Sequence, residues 1–404
     1  MDIKLIRNFE EGIYIPVNEK LLLQIVDHNY RLGRFLGKKL FIFNPVTNER
    51  FEILPEIHKY DLAEIGYASA SHDYILFTSA KSINENEIEV IFYRYDINSG
   101  EGKIIHSMQT NINHIGRAVL FKAFALDENY CIFEKVEYSK ENLSSTGLLS
   151  NGMGTHKLLL KEVQENKELE LSDSVIANSG IEKIIPLSGN LCVLKIGSPI
   201  LEEMMFSDMD TVSHNQKEII GIVNIKQFIS ELLLKNDSGF IEILDEGSAD
   251  ITFPYVRQYD NELVYSKVDV SKKLEEVIIY DYETKVKKVR INSNITKISD
   301  LNHTFIINGT PYIIKSTDKN TKLINLNTQK TELKLNGEVR IKFIRRDMIV
   351  TQRHVKKMFF MRKESYYIEV FRYPDMHHPI FTTRAKYKDC IAFYEDLLIF
   401  SNIK

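Results

Sequence analysis

Glu87-Ile88-Glu89-Val90-Ile91-Phe92-Tyr93-Arg94-Tyr95-Asp96-Ile97-Asn98-Ser99-Gly100-Glu101-Gly102-Lys103-Ile104-Ile105-His106 is the stretch whose reading decides the fold. Two arms rich in β-branched and aromatic residues flank a short polar segment, Asp96 to Gly100. There Asp, Asn and Ser can bond the backbone, and glycine accepts a positive φ. The stretch is a β-hairpin. Degenerate copies of its turn recur at Phe43-Asn44-Pro45-Val46-Thr47-Asn48-Glu49, Tyr280-Asp281-Tyr282-Glu283-Thr284-Lys285 and Ile324-Asn325-Leu326-Asn327-Thr328-Gln329-Lys330. A weaker copy is Phe371-Arg372-Tyr373-Pro374-Asp375.

Between these long hairpins lies a second recurrent unit, an apolar run, a short polar turn and another apolar run. It is found at Ala68 to Phe77, Phe124 to Phe133, Pro186 to Leu194, Tyr259 to Tyr265, Ile344 to Val350 and Phe393 to Phe400. Near-continuous apolar runs of this length bounded by turn residues are buried strands. The two hairpin types alternate, so each repeat holds four antiparallel strands over on the order of fifty residues, the length of one propeller blade.

Through these repeated turns the chain resembles a divergent β-propeller. It lacks the double glycine of kelch repeats, the Trp-Asp ending of WD40 repeats and the Asp-box of sialidases, and it contains no tryptophan. The resemblance is to an architecture, and no functional residues follow from it. The expected fold is all-β, with about seven four-stranded blades and six or eight as the neighbouring counts. Repeats override the length prior, so residues 1–404 are expected to form a single domain. The C-terminal strands near 389–401 have no following hairpin and are expected to close the ring by joining N-terminal strands, for which Lys39–Phe43 and Arg50–Leu54 are candidates. Ile13–Val17 and Leu21–Val26 read as a further strand pair, an eighth blade or an outer addition.

A formal net charge of -4 and a pI near 6.3 argue against wholesale attraction to nucleic acid or anionic lipid. Cys131, Cys192 and Cys390 sit far apart in apolar runs and read as buried thiols in a reducing compartment. The N-terminus carries charges where a secretory signal needs an apolar core, and no later run approaches a membrane span. A cytoplasmic protein is expected.

Departures from the repeat are where function is expected to sit. The connection between the second and third strands is long in three units: Ser139–His156, Pro199–Lys217 and Arg353–Glu364. In antiparallel blades these connections share one face. The fourth-unit connection is acidic and apolar, with Glu202, Glu203, Asp208 and Asp210 around Met204, Met205 and Phe206. The seventh-unit connection is basic, with Lys356, Lys357, Arg362 and Lys363 around Phe359 and Phe360. These charged and apolar groups are the candidate binding residues.

One helix is predicted on the opposite face, between the last two strands of the fourth unit. Ile225, Phe228, Ile229, Leu232 and Leu233 fall on one stripe behind an Asn224 cap, and the stripe is expected to pack on the propeller.

No catalytic motif stands out. No G-x-S-x-G elbow, phosphate loop, H-E-x-x-H or C-x-x-C occurs. His377-His378 reads as an exposed turn before it reads as a metal site, and His72-Asp73 and Glu395-Asp396 as ordinary turn formers. Cations from Arg340 to Lys363 interleave with Phe343, Phe359 and Phe360, a pattern that binds single-stranded nucleic acid but also arises on any solvated strand. The expected role is a non-enzymatic interaction scaffold with another protein as partner and no cofactor. The competing expectation is a lyase or glycan hydrolase with its site in the central pocket.

Overall fold

A computed structural model describes residues 2–7, 13–16, 22–27, 30–31, 34–35, 38–44, 47, 49–53, 69–70, 74–84, 87–111, 119–137, 155–171, 176, 179–187, 189–197, 218–234, 240–248, 250–259, 261–293, 303–317, 319–345, 347–355, 365–385, 391–394 and 397–402. The hairpin at its centre is present. Glu87–Asp96 pairs antiparallel with Gly102–Asn111. Between them, Asp96 Oδ1 accepts from the backbone N–H groups of Asn98 and Ser99 at 3.0 and 2.9 Å.

The same arrangement recurs in the copies. Asp281 Oδ1 accepts from Glu283 and Thr284 at 3.0 and 2.9 Å, and Asn325 Oδ1 from Asn327 and Thr328 at 2.9 and 3.1 Å. The backbone bonds hold the Asp96 and Asp281 carboxyls below the usual range. Each turn then needs a left-handed residue four positions on, supplied by Gly100 (φ 71°), Lys285 (φ 61°) and Gln329 (φ 59°). Only the first copy uses the residue for which that conformation costs nothing.

Seven sheets follow one another along the chain, each with its strands in sequence order. The first comprises Ile13–Pro16, Leu22–Asp27, Lys38–Phe43 and Arg50–Ile53. The second comprises Ser69–Ala70, Tyr74–Ser82, Glu87–Asp96 and Gly102–Asn111. The third comprises Val119–Ala125, Tyr130–Glu137, Thr155–Glu162 and Lys167–Leu171. The fourth comprises Ile181–Pro186, Leu191–Ile196, Ile219–Asn224 and Phe240–Glu246.

In the fifth sheet Pro254, which lacks a backbone donor, lies within a break that divides the first strand into Ile251–Thr252 and Val256–Tyr259. Glu262–Asp269, Leu274–Asp281 and Val286–Ser293 follow. The sixth holds His303–Ile307, Thr310–Ser316, Asn320–Asn325 and Thr331–Asn336. The seventh holds Glu338–Arg345, Met348–Val355, Ser365–Arg372 and Phe381–Ala385.

Consecutive sheets share apolar clusters. Tyr74, Leu76 and Phe92 of the second pack on Ala123, Cys131 and Phe133 of the third. Phe124, Ile132 and Leu160 meet Ile181, Leu194 and Ile196 of the fourth. Val193, Ile220 and Ile222 meet Phe253, Leu263 and Tyr265 of the fifth. Ile279 meets Ile306 of the sixth, and Tyr312 and Leu323 meet Ile349 and Phe371 of the seventh. Each such side chain contributes about 1.5–3 kcal/mol by leaving water. Middle strands packed on both faces are buried almost throughout, as in Leu191–Ile196, while Val286 to Arg290 on a fourth strand is exposed. First strands therefore form the inner edge and fourth strands the rim. Four-stranded sheets stacked face to face in this way are a β-propeller.

Leu22–Asp27 carries Ile13–Pro16 on one side and Lys38–Phe43 on the other, so the N-terminal strands complete a sheet of their own. The C-terminal hairpin, Ile391–Tyr394 with Leu397–Asn402, pairs instead with Asp2–Arg7, which runs parallel to its second strand. This three-stranded sheet differs from the expected junction with Lys39–Phe43 because both edges of that middle pair are already occupied. Burial of Leu397, Leu398, Ile399 and Phe400 lies outside the described side chains.

The helix spans Ile225–Leu233. Asn224 Oδ1 caps it by accepting from Lys226 and Gln227 at 3.1 and 3.3 Å. Ile225, Phe228, Ile229 and Leu232 are buried in the cluster between the third and fourth sheets, while Leu233, predicted on the same stripe, is 47% exposed. Its stripe is therefore core.

Candidate functional site

Three long second-to-third connections leave their sheets after Glu137, Ile196 and Val355 and return at Thr155, Ile219 and Ser365. With identical strand order in each sheet, all three lie at one end. A further insertion shares that end. Between Asp27 and Lys38 of the first sheet, Tyr30–Arg31 pairs with Arg34–Phe35 in a ribbon of its own. The sequence-derived binding residues Glu202, Glu203, Met204, Met205, Phe206, Lys356, Lys357, Phe359, Phe360, Arg362 and Lys363 lie outside the described residues, as do 139–154, His72-Asp73, Glu395-Asp396 and Cys390. His377 and His378 are both exposed in the bend before Phe381.

The stems beneath those connections are described and closely tied. Below the basic connection, Arg353 Nε donates to both oxygens of Glu369 at 3.1 Å, and Nη2 adds a bond of 2.9 Å to Oε2. Its Nη1 reaches Asn336 O at 3.2 Å. A forked guanidinium of this kind fixes direction as well as charge. Next to it, His354 Nδ1 lies 3.0 Å from Glu338 Oε2, and its ring stacks on Tyr366 with centroids 4.8 Å apart.

Below the acidic connection sits a buried polar group. Lys195 is 1% exposed; its Nζ donates to Phe253 O at 2.5 Å and forms an ion pair with Glu182. That pair is a contact of charges rather than an aligned hydrogen bond, since the facing Glu182 oxygen accepts none. Glu218, the residue at which the connection rejoins the sheet, accepts from Thr252 Oγ1 at 2.6 Å and Phe253 N at 3.0 Å. Burial pushes its carboxyl up to about 7, against the pull of Lys195 and of these two donors. Glu218 therefore titrates near neutrality.

A second polar group lies along the inner edge. Lys122 Nζ donates to Ile181 O at 3.1 Å and stands 3.7 Å from Glu134. Lys183 Nζ donates to Val256 O at 3.3 Å. Arg257 lies over the Phe305 ring at 4.9 Å and the Tyr255 ring at 5.4 Å, and Tyr259 meets Phe305 edge-on at 6.3 Å. Burial raises the Tyr255 and Tyr259 phenols. Lys183 is exposed as a residue, yet protein surrounds its ammonium on the side of Val256. Desolvation, reinforced by Arg257 and Lys195, holds its ammonium below the ordinary range against the pull of Glu182.

Sequence reasoning missed these inner groups. The signal was present: Lys183 interrupts Ile181–Ile185, Lys195 interrupts Leu191–Ile196, and Glu134 ends Cys131–Phe133. A charge inside an otherwise apolar inner strand has to find a partner on the neighbouring sheet.

Buried Cys131 and Cys192 are free thiols pushed up to about 12 and about 11 by desolvation, which makes them poor nucleophiles.

No protein-family model matches the sequence, and neither does any curated protein. Among solved structures, the chain is similar to the β-propeller domain of the Trilobed protease from Pyrococcus furiosus (TM-score 0.43, 13% identity, covering 92% of this chain and 97% of that one). It is also similar to an oligogalacturonate lyase in complex with manganese (TM-score 0.41, 8% identity, 77% of this chain and 72% of that one). A third is dipeptidyl peptidase 4 of Porphyromonas gingivalis (TM-score 0.44, 10% identity), where the alignment covers 90% of this chain and 58% of the peptidase. Likenesses this distant attach no activity, metal or substrate to the chain.

Proposed function

We propose that this chain is a recognition module for another protein, working through the end of the propeller that carries its long connections. One observation carries the reading: the connections at 138–154, 198–217 and 356–364 and the segment 28–37 with its ribbon all join second to third strands, so the strand ends they leave and rejoin share one end of the sheets. Lys356, Lys357, Arg362 and Lys363 on one connection and Glu202, Glu203, Asp208 and Asp210 on another make that face electrostatically bipolar. A partner with two opposed charged patches is then oriented on approach, while Phe359, Phe360, Met204, Met205 and Phe206 supply buried area. Residues 1–404 act as one domain, its ring closed through the pairing of Asp2–Arg7 with Leu397–Asn402. No described helix is long and apolar enough to cross a membrane. The cytoplasm is the proposed location.

The test is affinity capture from the native cell with the parent chain and with Lys356 and Lys357 both changed to Glu, followed by association kinetics on the partner recovered. Association with the charge-reversed chain is expected to be at least about tenfold slower at low salt, and the gap to shrink as salt rises. Equal rates at every salt concentration would remove this face from recognition.

The polar side chains on the inner edge favour a second reading, an enzyme of lyase or hydrolase type acting in the central pocket, because catalysis needs such groups to converge. Turnover in a substrate screen, with no specific partner captured, would put this reading first.

A further inference from the structure

Cations near the inner edge fall into two groups. Lys122 stands against Glu134, Lys195 against Glu182, and Arg353 is forked onto Glu369. Lys183 and Arg257 are different: among the described residues neither forms an ion pair with a carboxylate. Glu182, the nearest acid in sequence to Lys183, is engaged by Lys195. Yet the two cations are held together, since Lys183 Nζ bonds the carbonyl of Val256, the residue before Arg257. The Arg257 guanidinium lies over both the Tyr255 and Phe305 rings and bonds the Tyr259 phenol, contacts that limit the rotamer freedom it would lose when a ligand arrives.

Lys183 is partly desolvated and feels the charge of Arg257, a cost that an anion joining the two offsets. The aromatic walls strengthen any charge pairing formed there by excluding water.

We propose that Lys183 and Arg257, on the first strands of the fourth and fifth sheets, form a binding site for a small ligand bearing an oxyanion, a carboxylate or a phosphate. Arg257 grips the oxyanion with its fork and Lys183 neutralises it as a point charge. Phe305 and Tyr259, set edge-on to one another, give the rest of the ligand an apolar corner. Within its strand Arg257 lies toward the end away from the long connections, where Tyr259 pairs with Glu262, while Lys183 lies opposite Lys195 in its own sheet.

Desolvation first, and the charge of Arg257 after it, hold the Lys183 ammonium below its ordinary range, and an anion bound between the two would act against both. Affinity should accordingly fall at alkaline pH as Lys183 loses its proton.

The test uses the whole chain in calorimetric titrations against inorganic phosphate, acetate and succinate, with sodium chloride of equal ionic strength as reference. One saturable site is expected for at least one oxyanion. Preference for phosphate marks a phosphorylated ligand, and preference for acetate or succinate marks a carboxylic acid. Arg257→Gln and Lys183→Gln should each weaken binding about tenfold or more, and Arg257→Lys should recover part of it. Lys288→Gln, on the exposed fourth strand of the fifth sheet, should bind as the parent does. If Arg257→Gln loses the fold, Lys183→Gln, at the more exposed of the two positions, carries the test. Binding no stronger than chloride for all three anions, or unchanged in Lys183→Gln, overturns the proposal.

Discussion

At one end of the sheets the third-to-fourth turns are tied by Asp96, Asp281 and Asn325, and the fourth sheet is covered by a capped helix with its apolar stripe inward. At the other end the chain leaves the strands at Glu137, Ile196 and Val355 for connections of a different composition. The first end is specified by local hydrogen bonds and can vary little without loss of fold. At the second end the described ties are at the stems, where Arg353–Glu369 and the Lys195–Glu218 group hold the strands, and the proposed recognition role falls to the connections between them. If this division is right, changes at the closed end should register in stability and changes at the open end in binding.

The largest effect is expected at the closed end. Phe228 is 1% exposed and fills the cluster between the third and fourth sheets, so Phe228→Ala should cost about 3–5 kcal/mol in denaturant unfolding. A loss below about 1 kcal/mol would mean the helix is an appendage and the closed end is not closed.

Next comes the open-end stem. Glu218 binds its proton more tightly folded, at about 7, than unfolded, at about 4.5. Its contribution is therefore complete below about 4.5 and is lost as pH rises toward 7, a drop on the order of 3 kcal/mol. Glu218→Gln keeps the shape and removes the titration, so its stability should no longer fall in that window. Unfolding curves at pH 5 and pH 7.5 measure the difference, and parallel behaviour of parent and variant would place the titration elsewhere.

The bipolar face is sharpened by a binding experiment. Changing Glu202 and Glu203 to Lys should slow association with the same partner by up to about tenfold at low salt, with stability unchanged. Faster association would show that only the basic side is used.

The smallest effect returns to the closed end. Gln329 holds φ 59° without being glycine while its Nε2 donates to Leu326 O at 2.9 Å, so Gln329→Gly should stabilise by at most about 1 kcal/mol, read as a small rise in Tm. Lys285→Gly should gain less, because it relieves the same conformation but gives up the ion pair with Glu242 across the seam to the fourth sheet.

Features encoded over a few residues were legible in the sequence. Asp96, Asp281 and Asn325 announce their turns because the bonds they accept come from two and three residues on, and Asn224 announces the helix in the same way. The strand Asp2–Arg7 carried no such sign, since its identity depends on a partner, Leu397–Asn402, at the far end of the chain. The inner-edge groups were hidden for the same reason. Lys195 meets Glu182 on the adjoining strand of its own sheet and Phe253 O on the next sheet, and Arg257 meets the Phe305 ring of the sixth sheet, contacts that no single strand announces. The long connections were visible as interruptions of the repeat.

Hydrogen exchange of the full chain, free and bound to the protein it captures, tests the division between the two ends most directly. Amides at 138–154, 198–217 and 356–364 should gain protection in the complex, while the turns at 96–101, 281–286 and 325–330 and the helix Ile225–Leu233 exchange as before. Protection confined to those turns and the helix, with the long connections unchanged, would contradict the account.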